Sequence, residues 1–234
     1  MGIPQRVRFL QTYLKQPNVV GAIAPSSQAL AFALSEPYRQ HQGRAAILEV
    51  GAGTGAVTRY LGSVLRDDDE LDICEVQNDF ADILERDILS TPTFRRCVAE
   101  GRVRLLRSAV QELPYEQRYD YIISGLPFTV FSIEDVSAIF DVIRRCLKPD
   151  GVFSYFEYVA MRRATQALSL GRHRDRIRAV SSFLTKNIRA HQFAQRIVLL
   201  NFPPAAARHL RFNGHGGPRA NPQRQRRSAA TRSA

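Results

Sequence analysis

Ile47-Leu48-Glu49-Val50-Gly51-Ala52-Gly53-Thr54-Gly55-Ala56-Val57-Thr58-Arg59-Tyr60-Leu61 is the stretch that decides the fold class. An apolar run closes at Glu49 and Val50, glycines alternate at 51, 53 and 55, and Val57, Tyr60 and Leu61 then recur at helical spacing. The stretch reads as a buried strand, a glycine turn and the first turns of a helix. Glycine admits a positive φ and lets a ligand approach bare main chain. The following helix aims unpaired N–H groups and a positive dipole end at that ligand. Such a turn suits an anionic or carboxylate-bearing group, commonly part of a nucleotide cofactor. Gly51-x-Gly53-x-x-Ala56 satisfies the loose dinucleotide fingerprint, and Glu49-x-Gly51-x-Gly53-x-Gly55 is the tighter pattern.

Working outward, Leu71-Asp72-Ile73-Cys74-Glu75-Val76 is a short apolar strand ending in an acid. Glu75 stands about 20 residues beyond the glycine turn, where a carboxylate accepts both hydroxyls of a ribose. Asp67-Asp68-Asp69-Glu70, just before it, reads as a solvated loop. Strands are expected at 46–50, 71–76, 103–107, 119–124 and 152–157, with helices near 56–66, 79–89 and 133–147. Lys148-Pro149-Asp150-Gly151 reads as a turn. This alternation predicts an α/β domain with a doubly wound, mostly parallel sheet. Ser26 or Ser27 is placed to cap a helix over 28–34. Residues 3–16 read as an amphipathic helix presenting Ile3, Val7, Leu10 and Leu14, with Tyr13 beside that face. A late strand is expected over 196–202, stopped by Pro203-Pro204.

The 234 residues are 44% hydrophobic and carry a net charge of +11, unevenly placed. Residues 1–159 hold 17 Lys/Arg against 21 Asp/Glu, whereas 160–234 hold 16 against the single acid Asp175. A one-sided basic region points to a polyanion, either nucleic acid or an anionic membrane surface. The basic stretch 162–189 is expected to be mostly helical and broken at Gly171. No apolar run is long enough for a membrane span. Three unclustered cysteines, Cys74, Cys97 and Cys146, argue for a cytoplasmic compartment and against a disulfide framework or metal site. His173, His191 and His209 read as surface residues. The expected organisation is an N-terminal cap over 1–45, a catalytic domain over 46–212 containing the basic helical segment 160–191, and a disordered basic tail over 213–234.

The motif Glu49-x-Gly51-x-Gly53-x-Gly55 resembles the first motif of the class I S-adenosylmethionine-dependent methyltransferases. The resemblance implies a Rossmann-like seven-stranded sheet with an antiparallel last strand, and the 196–202 segment is placed to be that strand. It implies S-adenosyl-L-methionine as cofactor. Glu49, Gly51, Gly53 and Gly55 would lie at its methionine end, Glu75 at the ribose and Ser108 and Ala109 at the adenine (with Gln111 as the alternative), and Ser26, Val76 and Ser124 would also contact the cofactor. Ile122-Ile123-Ser124-Gly125-Leu126-Pro127-Phe128 looks like the fourth motif of enzymes that methylate base amines, with Gly125 where they carry Asp or Asn. With Gly21-Ala22-Ile23-Ala24-Pro25-Ser26-Ser27 and Asn201-Phe202-Pro203-Pro204-Ala205, it resembles the bacterial phospholipid N-methyltransferases over roughly residues 6–212. These are related to the ribosomal RNA adenine dimethylases. The resemblance implies methylation of phosphatidylethanolamine toward phosphatidylcholine by a cytoplasmic, peripherally membrane-associated enzyme. Tyr13, Phe128, Glu157 and Tyr158 are the candidates at the substrate, beside Tyr155. The alternatives are an RNA N-methyltransferase, for which the basic region would be an RNA footprint, and a non-catalytic scaffold on a cofactor fold.

Overall fold

The computed structural model describes residues 27–159, 172–201 and 203–212. The expected 3–16 helix with Tyr13, the turn residue Ser26, the 160–171 stretch, Phe202 and the tail lie outside them. The chain runs α1 (Gln28–Leu34), α2 (Glu36–Arg39), β1 (Ala46–Val50), α3 (Ala56–Val64), β2 (Glu70–Cys74), α4 (Asn78–Leu84), α5 (Pro92–Ala99), β3 (Val103–Leu106), β4 (Tyr119–Ser124), α6 (Ile133–Cys146), β5 (Leu147–Tyr158), α7 (Arg172–His191), β6 (Gln192–Val198) and β7 (Ala205–Arg211). A π-helical turn, Glu85–Leu89, extends α4, so the expected 79–89 helix is one continuous run with a wider last turn. Ser27 is the cap of α1, its Oγ accepting from Leu30 N at 3.1 Å.

One seven-stranded sheet organises these elements in the order β3-β2-β1-β4-β5-β7-β6. The first five strands are parallel, and β7 is antiparallel to both neighbours. The expected antiparallel strand is therefore present, but 196–202 is not it. That stretch supplies the end of the edge strand β6, and the inserted strand is Ala205–Arg211, beyond the two prolines. Its alanines carry little strand propensity. Ala205 and Ala207 are small because α1, with Ala31 and Ala33, packs onto them in one buried cluster.

Strand alternation sends residues to two faces. Ile47, Ile73, Ile123, Phe156 and Tyr158 pack beneath α1, α3 and α5. Leu48, Ile122, Phe153 and Tyr155 pack beneath α6 and α7, with Phe128 among them. The Lys148–Gly151 turn is a bulge inside β5: Leu147 pairs with Tyr119 and Val152 with Tyr121, so the residues between loop outward.

Two polar readings change. Asp69 is fully buried rather than solvated, accepting from Tyr38 Oη at 2.6 Å and Ala45 N at 2.7 Å and pairing with Arg66 Nε at 2.8 Å. It ties α2 to the β1 and β2 starts. His209 is buried on β7, its Nδ1 2.8 Å from Ser154 Oγ, and burial lowers its pKa to about 4. His191 is half-buried with its ring 5.1 Å from that of Phe212. Neither is a surface residue, because both lie where the last helix and strand close over the sheet.

Candidate active site

Strand order reverses between β1 and β4, and in open α/β sheets ligands bind beyond the carboxyl ends of the strands at such a switch point. Three loops converge there. Gly51 N donates to Cys74 O at 2.9 Å, Gly125 N to Val50 O at 2.8 Å, and Glu75 N to Leu106 O at 3.0 Å. These bonds hold the β1, β2 and β4 ends together without side chains. Gly51, Gly53 and Gly55 have φ of +70°, +56° and +78°, a backbone only glycine adopts freely. Gly51 and Gly55 are also constrained by space, since a Cβ there would run into Leu126 or Ile88. At Gly53 nothing lies within 4 Å of the Cβ direction, so this loop residue faces open room.

Glu75 is buried beside that room. Gly53 N donates to its Oε2 and Gln77 N to its Oε1, each at 2.8 Å. Burial raises its pKa against the opposing pull of these amides. Each oxygen retains a lone pair for a further donor. Gln77 Nε2 is buried with no hydrogen-bond partner among the described residues. A carboxylate short of donors, an orphaned amide and an uncovered glycine together fit a ribose and the chain attached to it, so the residues suit S-adenosylmethionine. Val76, half-buried, follows Glu75 on the same rim. Ser108 and Ala109, also half-buried, adjoin the β2 end, where Ser108 O accepts from Cys74 Sγ at 3.2 Å. Ala109 N donates to Glu112 Oε2 at 3.4 Å. Ser124 is buried and its Oγ accepts from Leu126 N at 3.2 Å, shaping the turn after β4.

Glu49 lies under the glycine loop, accepting from Thr58 Oγ1 at 2.8 Å. Burial pushes its carboxyl pKa up to about 8, the Thr58 hydrogen bond opposing and the charge of Glu75 adding. Between the ordinary value of 4.5 and about 8 the folded chain keeps a proton that the unfolded chain has lost. Stability from this group is thus full below the unfolded value and declines as pH rises toward 8. Glu49→Gln is expected to remove that decline, making the variant more stable than the parent by on the order of 3 kcal/mol near pH 8 and little changed near pH 5. Urea unfolding at both pH values measures it, and a stability difference that does not change with pH rules it out.

The substrate-side candidates do not come together as one set. Phe128 is buried among Phe131, Phe140, Phe153 and Tyr155, 5.3 Å from Phe140 and 5.4 Å from Tyr155, so it packs as core. Tyr158 is buried on the opposite face against Phe156, and desolvation raises its pKa to about 12. Glu157 shares a face with Tyr155 and pairs with Arg208 of β7. The basic helix contributes Arg176, whose Nη1 donates to Val130 O at 3.2 Å, just past the β4 turn. Arg208 was not legible as a site neighbour, because strand β7 itself was not.

Among the described residues no helix is long and apolar enough to cross a membrane, and no group of His, Cys, Asp and Glu could hold a metal ion. A family model described as "Methyltransferase domain" matches residues 47–151. An ornithine lipid N-methyltransferase from Singulisphaera acidiphila is 31% identical over 146 residues, covering 62% of this chain and 74% of that protein. Two solved structures share the fold. The O-methyltransferase TomG of Streptomyces achromogenes, in complex with S-adenosylmethionine, has a TM-score of 0.56 at 15% identity, over 91% of this chain and 92% of that one. The 1,6-didemethyltoxoflavin-N1-methyltransferase of Burkholderia thailandensis, with bound S-adenosylhomocysteine, has 0.54 at 18%, over 92% of each. Glycine loop, the buried Glu75 carboxylate beside it, inserted β7 and these likenesses agree, and the chain belongs to the class I S-adenosylmethionine-dependent methyltransferases.

Proposed function

We propose that this methyltransferase acts on the amine of a phospholipid at the membrane surface, carrying phosphatidylethanolamine toward phosphatidylcholine. The observation that carries the reading is Gly125. A Cβ at this position would stand 2.5 Å from Gly51 O, so the approach of the β4 turn to the glycine loop requires glycine. The turn then offers no side-chain acceptor for the exocyclic amine of a base. The lipid-modifying relative supports an aminolipid acceptor.

The cofactor, when bound, supplies an already activated methyl group. The protein must bring a neutral amine in line with it and keep water out. In this reading Glu75 holds the ribose, the Gly51–Gly55 loop presents backbone to the methionine end, and Ser108 and Ala109 border the adenine. An ethanolamine nitrogen arrives protonated, and Glu157 at the carboxyl end of β5 is assigned to receive that proton. Tyr13 is assigned to the head-group site, and Phe128 and Tyr158 to packing. Basic residues on α7 attract anionic lipid.

Label tracing decides the substrate. Incubation with methyl-labelled cofactor and either phosphatidylethanolamine vesicles, ornithine lipid vesicles or structured RNA is expected to label extracted phosphatidylethanolamine. Gly125→Asn is expected not to raise that activity. Label in N6-methyladenine with none in lipid would overturn the proposal in favour of the RNA enzyme.

A further inference from the structure

The turn between β6 and β7 is an apolar projection held on a rigid base. Leu199 and Leu200 are 75% and 87% exposed. Asn201, directly after them, is buried: its Oδ1 accepts from Ser27 N at 3.1 Å and its Nδ2 donates to Pro203 O at 2.7 Å. Val159 N donates to Pro204 O at 2.9 Å, which ties the end of β5 to the same turn and adds a half-exposed Val159 beside the leucines. Two adjacent leucines facing water over a buried asparagine clamp belong to neither buried core cluster of the described residues.

Position and charge say what covers them. β5 runs parallel to β4, and β6 is antiparallel to β7, so the β6–β7 turn lies at the carboxyl edge of the sheet, where the glycine loop and the β4 turn form the site. The first half of α7 is at that edge too, since Arg176 bonds to Val130 O. In sequence this half of the helix carries four arginines, 172, 174, 176 and 178, against the single acid Asp175. An apolar tip at the same edge of the sheet as a basic helix half matches the boundary between anionic head groups and acyl chains.

We propose that the Leu199–Leu200 turn, with Val159, is a membrane-inserting wedge that seats the mouth of the active site on an anionic bilayer. The proposal rests on the lipid-amine reading above and deepens it. A lipid head group would reach the site while its acyl chains stay in the bilayer.

The chain contains no tryptophan, so Leu200→Trp places a single indole on the turn. With the full chain and vesicles of phosphatidylethanolamine and phosphatidylglycerol, its emission is expected to shift to the blue and to be quenched by lipids brominated on their acyl chains, in step with the fraction of protein that sediments. Sedimentation without any change in emission would show that another surface docks, and would overturn the wedge. So would an indole already blue-shifted before vesicles are added, which would mean that another part of the chain or a second copy covers the turn. Leu199→Ser with Leu200→Ser is expected to weaken partitioning roughly tenfold or more, while methyl transfer to a short-chain, monomeric phosphatidylethanolamine stays unchanged. Loss of both would indicate damage to the fold and overturn the inference. If the parent enzyme methylates no lipid in any form, the substrate reading fails, and the indole signal still decides the wedge separately.

Discussion

Gly53→Val is expected to weaken S-adenosylmethionine binding by more than about a hundredfold, roughly 3 kcal/mol. Two effects act together. Gly53 has φ +56°, and a β-branched side chain there carries strain of order 1–3 kcal/mol. Its isopropyl group would also project into the open room beside Glu75, where nothing lies within 4 Å. Glu75→Ala is expected to act on the same equilibrium by removing the carboxylate proposed to hold the ribose hydroxyls, with about 1.5–3 kcal/mol lost per hydrogen bond to the charged group. Isothermal titration with far-ultraviolet dichroism as a fold control measures both. Unchanged affinity in Gly53→Val, or preference of the parent chain for a nicotinamide dinucleotide, would refute the site.

Arg208→Met is expected to cost about 3–5 kcal/mol of folding stability. The Glu157 and Arg208 side chains are only 6% and 17% exposed. Arg208 Nη1 also donates to Gln192 Oε1 at 2.8 Å and Gln195 Oε1 at 3.0 Å, so one guanidinium joins β5, β7 and β6. Its removal takes the Arg208 cation from a buried carboxylate, and the penalty is the desolvation of that charge more than the lost attraction. Glu157→Gln combined with Arg208→Met is therefore expected to recover a good part of the loss. Denaturant midpoints of the two singles and the double close the cycle. A single Arg208→Met change below about 1 kcal/mol would show the pair to be as weak as an exposed one.

Much of the fold was legible because its signals are local. The strands at 46–50 and 119–124 are apolar runs with clear ends, and both occupy their expected residues. The glycine pattern fixed the turn because three positive φ angles close together admit few other residues. The position of Glu75 beside the glycine loop, where Gly53 N donates to it, follows from the spacing of the acid after that loop. The misses share a physical cause, which is long-range packing overriding local preference. β7 is alanine-rich because α1 presses on it, and its pairing is with β5, far away in sequence. Asp69 belongs to an acidic run that reads as solvated, yet Tyr38, Ala45 and Arg66 supply it with donors. Phe128 follows a motif suggestive of base stacking, but the aromatic residues of β5 and α6 enclose it. α5, opening on Pro92, was overlooked because its buried face is small, with Phe94 its one fully buried side chain.

The insertion of β7 has a consequence for how the protein is made. β5 is complete at Tyr158, yet the strand that pairs with its far side begins at Ala205. At about 5–20 residues per second, a ribosome takes roughly 2–10 seconds to supply the intervening chain. Throughout that interval the nascent chain carries a long, apolar β5 with one row of amide and carbonyl groups unpaired, a template for pairing with a neighbouring nascent chain. Completion of the sheet waits on a contact between segments distant in sequence, which slows folding. The order of synthesis thus exposes the chain to aggregation during translation, and slower growth with chaperone support is expected to raise its soluble yield.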